Sequence, residues 1–289
     1  MERTSPLRVV SDYGVMDYAG HFHREVQAFL AAARQAVTGD PAPAVTSCPG
    51  WTVTELVLHL GYVHRSVARI ISERMKQPSQ AGDLVWLGLT AEHGRWMGEQ
   101  LAERADGGSA GRRARRPLPA ALVEWFGTGA AALEAQFRAT PADEPVWTWG
   151  ASQTVGFWQR MQAIEAAIHR WDAETATGSP RPMHPDLAVD AITQTFEVMA
   201  PMRRAVLQAP PSRGERFRFS RTDGPETWAV RFDAEHVTLG DSDDSCDVTL
   251  VGTASDLMLF LWHRLTPQAL EIRGDTSLAD RYFDLVPPL

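Results

Sequence analysis

Apolar positions recur at helical spacing through most of the first two thirds of the chain. Phe22, Val26, Phe29, Ala33 and Val37 form one such stripe, the period that turns one helix face toward a core. A break at Cys48-Pro49-Gly50 follows, and Thr52 then precedes Glu55 by three residues. At that spacing each side chain satisfies a backbone N–H left open by the first turn, so the pattern predicts a helix running to about Arg74. Further helices are predicted over about 84–105, 120–138 and 154–176. Between the first two of these, Arg112, Arg113, Arg115 and Arg116 stand among glycines and prolines and read as a solvated loop. "TGSPRPMHP" stops the helix over 154–176, and Pro185 suits the first turn of another that runs through Val206.

After "QAPPSRGE" the period changes from helical to alternating. "RFRFSRT", "TWAVRFD", "HVTLGD" and "CDVTLVG" read as strands separated by turn residues. "TASDLMLFLWHRL" reads as an amphipathic helix capped by Thr253 or Ser255, "ALEIRGD" as a last strand, and the terminus as a short helix. The expected fold is α+β in two domains: an all-α helical bundle over 1–206, then a small α+β domain over 207–289.

Composition narrows the function classes. The chain has 289 residues, 44% of them hydrophobic, enough for one large or two modest cores. Its formal charge of −8 argues against nucleic acid as a partner, because phosphate binding needs a basic face. The opening residues carry no signal-peptide core and no apolar run is of membrane-spanning length, so a soluble cytoplasmic protein is expected. Cys48 and Cys246 do not make a disulfide framework and are read as reduced thiols.

The candidate chemistry lies in "AIEAAIHRWDAE" at 163–174. At about 100° per residue, Glu165, His169 and Asp172 fall within about 40° of one line and share a helix face. Met161, Ile164 and Ile168 turn that face, or its neighbour, inward. A buried Glu needs a partner, a hydrogen bond or a metal, and Glu and His one turn apart can both reach one cation. His59 is the best third ligand because its flanks, "ELVLHLGYVH", are the most apolar. His64 lies about 140° around that helix, His21 and His23 face different ways, and His93 has exposed-looking neighbours. Two His and one Glu make a catalytic-type zinc set with an open fourth position. The competing reading is a satisfied core histidine, with Glu165 paired to Arg160 or Arg170. Cys48 reads as a small buried structural residue. Trp51, Trp158 and Trp171 lie near the motifs, where they either pack the core or wall a pocket.

"CPGWTVTELVLHLGYVHR" at 48–65 and "AIEAAIHRWDAE" at 163–174 resemble the mycothiol-dependent maleylpyruvate isomerase family, within the DinB-like superfamily. "VTLVGTASDLMLFLWHRLTPQALEIRGD" resembles the sterol-carrier-like domain that follows the bundle in that family. The resemblance covers nearly the whole chain. It implies a four-helix bundle holding a divalent metal, usually zinc, through His59, Glu165 and His169. It also implies a role in activity for Asp172, and C-terminal arginines that meet substrate carboxylates; Arg273 is the choice here, with Arg264 the alternative.

By the same resemblance the open position receives the sulfur of mycothiol, which metal coordination deprotonates. The thiolate then either isomerises a cis double bond or is transferred to a small electrophile. The remaining alternatives are a lipid- or small-molecule-binding protein with a structural metal, and a DinB-like transferase using another thiol. A monomer acting on small molecules is expected in each case.

Overall fold

The structure is a computed structural model that describes residues 16–78, 87, 117–241 and 244–288. The helix expected over 84–105, His93 and the arginines at 112–116 lie outside the described residues. Four helices form the first layer: α1 (Tyr18–Ala36), α2 (Val53–Ser72), α3 (Ala120–Ala139) and α4 (Val155–Thr177). Asp17 caps α1 by accepting the Gly20 N–H at 2.8 Å. Thr52 and Glu55 form the expected capping box on α2, with the Thr52 N–H reaching Glu55 at 2.6 Å. Gly178 ends α4 in the left-handed region at φ 89°, where a side chain would be strained, and the Ser179 N–H closes back on the Glu174 carbonyl at 2.9 Å.

α1 packs on α4, and α2 on α3. α3 approaches closely because position 61 is glycine: a Cβ there would stand 2.0 Å from the Trp125 ring. Phe22, Phe29, Leu56, Leu60, Phe126 and Ile168 fill the space between the four helices.

The helix expected over 185–206 forms as α5 (Pro185–Gln194), a π-helical turn (Thr195–Met199) and α6 (Ala200–Val206). Arg160 of α4 holds Asp190 of α5 at 3.0 Å, while Thr193 receives the Trp228 indole N–H at 2.9 Å. This helix therefore bridges the bundle and the sheet.

The sheet contains β1 (Arg216–Arg221), β2 (Thr227–Asp233), β3 (His236–Gly240), β4 (Val248–Gly252) and β5 (Glu271–Gly274). Its order is β3-β2-β1-β4-β5. β1 and β4 run parallel, with Phe217 opposite Val248 and Phe219 opposite Leu250, and the other pairs are antiparallel. Helices α7 (Ala254–Leu261) and α8 (Ser277–Leu285) supply Phe260 and Tyr282, which pack on each other, and Tyr282 packs against Phe217, Phe219 and Phe232. Thr253 caps α7 by accepting the Asp256 N–H at 3.1 Å.

One local feature at the end of α7 positions the site. His263 adopts φ 62°, unusual for a residue with a side chain, and the Arg264 N–H returns to the Leu259 carbonyl at 2.7 Å. The His263 ring is held in place by the Val286 carbonyl at 2.7 Å and by Phe283 at 4.5 Å between centroids. The chain thus turns sharply at 263 and sends Arg264 back to the bundle. Among the described residues no helix is long and apolar enough to cross a membrane.

Candidate metal centre

α2 and α4 bring three donors together. His59 lies two turns into α2, and its Nε2 stands 3.0 Å from Glu165 Oε1. The His59 and His169 rings meet edge-on at 5.0 Å. One ligand atom each from His59, Glu165 and His169 lie within 4.8 Å of one another. Trp51 walls this group, 5.4 Å from the His59 ring and nearly parallel to His169 at 6.5 Å. Trp158 instead packs in the core and donates to the Trp147 carbonyl at 2.8 Å, and Trp171 packs against the core partly buried.

The alternative partners for Glu165 are engaged elsewhere. Arg160 holds Asp190 and Glu197, and Arg170 holds Glu25 and Glu174. Burial works to raise the Glu165 pKa, but the hydrogen bond from His59 and the neighbouring imidazoles outweigh it and hold it down at about 2. The carboxylate is therefore ionised. His64 lies outside the group, wholly buried between Phe22 at 4.9 Å and Phe126 at 5.4 Å. Burial lowers its pKa to about 3, so it is a neutral core residue. His21 packs edge-on against His184, and His23 pairs with Glu134 at 2.8 Å.

Asp172, one turn beyond His169 and fully buried, is surrounded by donors. Ser47 Oγ donates to Oδ1 at 2.5 Å, and His169 Nδ1 meets Oδ2 at 2.9 Å. Arg264 grips both oxygens, Nε at 3.1 Å and Nη2 at 2.7 Å, and the Cys48 thiol reaches Oδ2 at 3.7 Å. Burial opposes ionisation here too, but the His169 hydrogen bond and the Arg264 guanidinium hold this carboxyl well below the usual range. An ionised carboxylate only accepts, so His169 donates through Nδ1, and Nε2 is the ring nitrogen that would meet a cation. This is the carboxylate–histidine arrangement that orients imidazole ligands.

Cys48, His169 and Asp172 also cluster within 4.8 Å. There the cation is the protein's own: the Arg264 Nη2 sits 3.3 Å from Cys48 Sγ and 2.7 Å from Asp172. Burial and the neighbouring Asp172 push the Cys48 thiol up to about 11, so it stays protonated. Among the described residues, no guanidinium or ammonium is paired with Glu165 in the His59, Glu165 and His169 group. Two imidazoles and a carboxylate make a donor set that suits zinc or a similar divalent ion.

Sequence reasoning and structure part at the arginines. Arg264 reaches the site across the domain boundary. Arg273 lies exposed on β5, paired with Glu271 at 2.7 Å, and is not brought to the cluster. Two further residues carried no motif. Ser47 is marked only by its place beside Cys48. Gln162 is marked by lying three residues before Glu165 on the same helix side, and its Nε2 donates to Glu165 Oε2 at 2.9 Å.

Comparison with known proteins agrees with this architecture. Residues 22–174 match the model of the mycothiol maleylpyruvate isomerase N-terminal domain, and residues 186–281 match that of the corresponding C-terminal domain. Among solved structures, the mycothiol-dependent maleylpyruvate isomerase superposes with a TM-score of 0.58 at 13% identity, over 89% of this chain and 91% of that one. A variant of that protein with one histidine replaced by alanine gives a TM-score of 0.58 at 12% identity over the same shares. No curated protein sequence matches the chain significantly. With both domain models matched in order along one chain, the protein belongs to the mycothiol maleylpyruvate isomerase family.

Proposed function

We propose that the protein is a metal-dependent, mycothiol-dependent isomerase of a maleylpyruvate-like substrate, acting in the cytoplasm as a monomer. The observation that carries this reading is the convergence of His59, Glu165 and His169 in a chain of this family. These three residues would hold the metal, most simply zinc. When bound, the metal supplies acidity to a thiol whose ordinary pKa is about 8.5, so that the sulfur is nucleophilic at neutral pH.

The chain's own residues prepare that chemistry. Asp172 fixes the ring of His169, and Arg264 and Ser47 fix Asp172. Trp51 covers the ligand rings and limits water on that side. Mycothiol, when bound, would supply a sulfur nucleophile able to add reversibly to the activated cis double bond and be regenerated.

A second reading, S-transfer from mycothiol to a small electrophile, is favoured by one observation. Arg264 and Arg273 are both engaged with carboxylates, on Asp172 and Glu271 respectively, rather than presented to a substrate diacid. One experiment separates the readings. Zinc-loaded protein is incubated with mycothiol and maleylpyruvate, and products are followed by chromatography and mass spectrometry. Conversion to the trans isomer that needs both metal and thiol supports the isomerase. An electrophile panel whose products retain the sulfur supports the transferase. No turnover in either assay by a protein that binds zinc overturns the proposal.

A further inference from the structure

Gln162 is almost completely buried, at 1% exposure, one turn before Glu165 on α4. Its Nε2 donates to Glu165 Oε2 at 2.9 Å, while the other carboxylate oxygen, Oε1, faces His59 Nε2 at 3.0 Å. The amide orientation follows from the partner: a carboxylate only accepts, so the NH2 end must face it. Gln162 Oε1 then has no hydrogen-bond partner among the described residues. A buried carbonyl without a donor is unfavourable, and a methionine or leucine would fill similar space without that penalty. What the amide contributes in return is its bond to Glu165.

We propose that Gln162 is a positioning residue that fixes Glu165 as a one-oxygen ligand of the metal centre. The proposal rests on the metal reading above and deepens it. A carboxylate can meet a cation through one oxygen or both. With Oε2 tied to Gln162, Oε1 is the oxygen that meets His59. Both residues stand on one rigid helix at i and i+3, so the arrangement is preset. A one-oxygen Glu would leave a bound metal a further open position, which a two-oxygen Glu would fill. Gln162 thus controls how open the centre is without touching the reacting atoms.

The test compares the full-length protein with Gln162→Met, both stripped and then reloaded with zinc or cobalt(II). Zinc affinity is read by chelator competition, coordination by the visible absorption of the cobalt protein, and folding by the melting temperature of the metal-free form. The expected result is zinc affinity about 10–100-fold weaker in the variant. Its cobalt absorption should be weaker as the coordination number rises, with a metal-free melting temperature unchanged or higher. Gln162→Leu repeats the measurement with a different apolar shape should the first variant fold poorly. Parental affinity and an unchanged cobalt spectrum in a folded variant would overturn the proposal alone. A parent protein that takes up neither metal would overturn it together with the metal reading.

Discussion

Two buried polar clusters share helix α4 on opposite sides, and they differ in where their positive charge comes from. On one side Arg170 is nested between Glu25 at 2.8 Å and Glu174 at 2.7 Å, and also donates to the carbonyls of Arg181 and Pro182. On the other, the partners of Glu165 among the described residues are imidazole and the Gln162 amide. A buried carboxylate needs a counter-charge. The Arg170 cluster carries its own and is closed. The Glu165 cluster brings three ligand groups together with no guanidinium among the described residues, and so suits a cation from outside. Asp172 lies close to the second cluster in space but is of the first kind, because Arg264 completes it. Helix burial and acidity alone do not separate a structural cluster from a candidate site; the presence of an internal guanidinium does.

The strongest way to break this comparison is to remove the internal cation. Arg170→Met should cost about 3–5 kcal/mol in urea unfolding, because it leaves Glu25 buried and unpaired. Zinc affinity of the folded variant should match the parent; an equal collapse of metal binding would show that the clusters are one system. Next in size, Glu165→Ala should weaken zinc binding by more than about 100-fold, beyond the range seen for outer partners of metal ligands. The metal-free variant should fold at least as stably as the parent, as chelator competition and thermal melts can show.

A third prediction concerns acid. The folded Asp172 carboxyl is held well below its ordinary value, so its contribution is complete above the unfolded carboxylate pKa of about 3.9. As pH falls below that value the unfolded chain takes up a proton that the folded one refuses, and stability is lost. In metal-free protein, Asp172→Asn should therefore lose less stability on acidification below about pH 4, by up to about 1.4 kcal/mol per pH unit. Parallel acid limbs for the two proteins would refute the assignment. The smallest effect belongs to Cys48→Ser, which should leave zinc affinity unchanged and cost about 1 kcal/mol or less. In the parent, alkylation of Cys48 by iodoacetamide should accelerate with pH toward about 11; a fast reaction at pH 7 would contradict the protonated thiol.

Much of this arrangement is legible locally. The capping box of α2 and the shared face of Glu165, His169 and Asp172 follow from helical spacing, which needs no knowledge of partners. The apolar flanks of His59 are a poorer guide, because His64, with less apolar flanks, is the more deeply buried of the two. What spacing does not contain is the partner of a face. Pro185 marks the start of the helix over 185–206 correctly, but nothing local says that it reaches the sheet through Thr193 and Trp228. Arg264 and Arg273 are nine positions apart in one arginine-containing stretch. The choice between them depends on a left-handed turn at His263, a residue with no local signature for that conformation. The Arg264 contact spans 92 residues of sequence, which is beyond any periodic argument. Gln162 was visible at i−3 from Glu165, but the carboxylate oxygen it binds is a matter of coordinates.

The reach of Arg264 has a consequence for how this chain changes over time. A two-pronged pair whose members stand in different domain matches couples mutations in one to the residue retained in the other. Losing either member strands a charge, so substitutions at 172 and 264 should show strong epistasis in a double-mutant cycle. A chimera that grafts a relative's C-terminal half onto this bundle would inherit the acid from one parent and need a matching base from the other. Such a chimera should keep its stability where the relative carries a matching arginine and lose it where it does not.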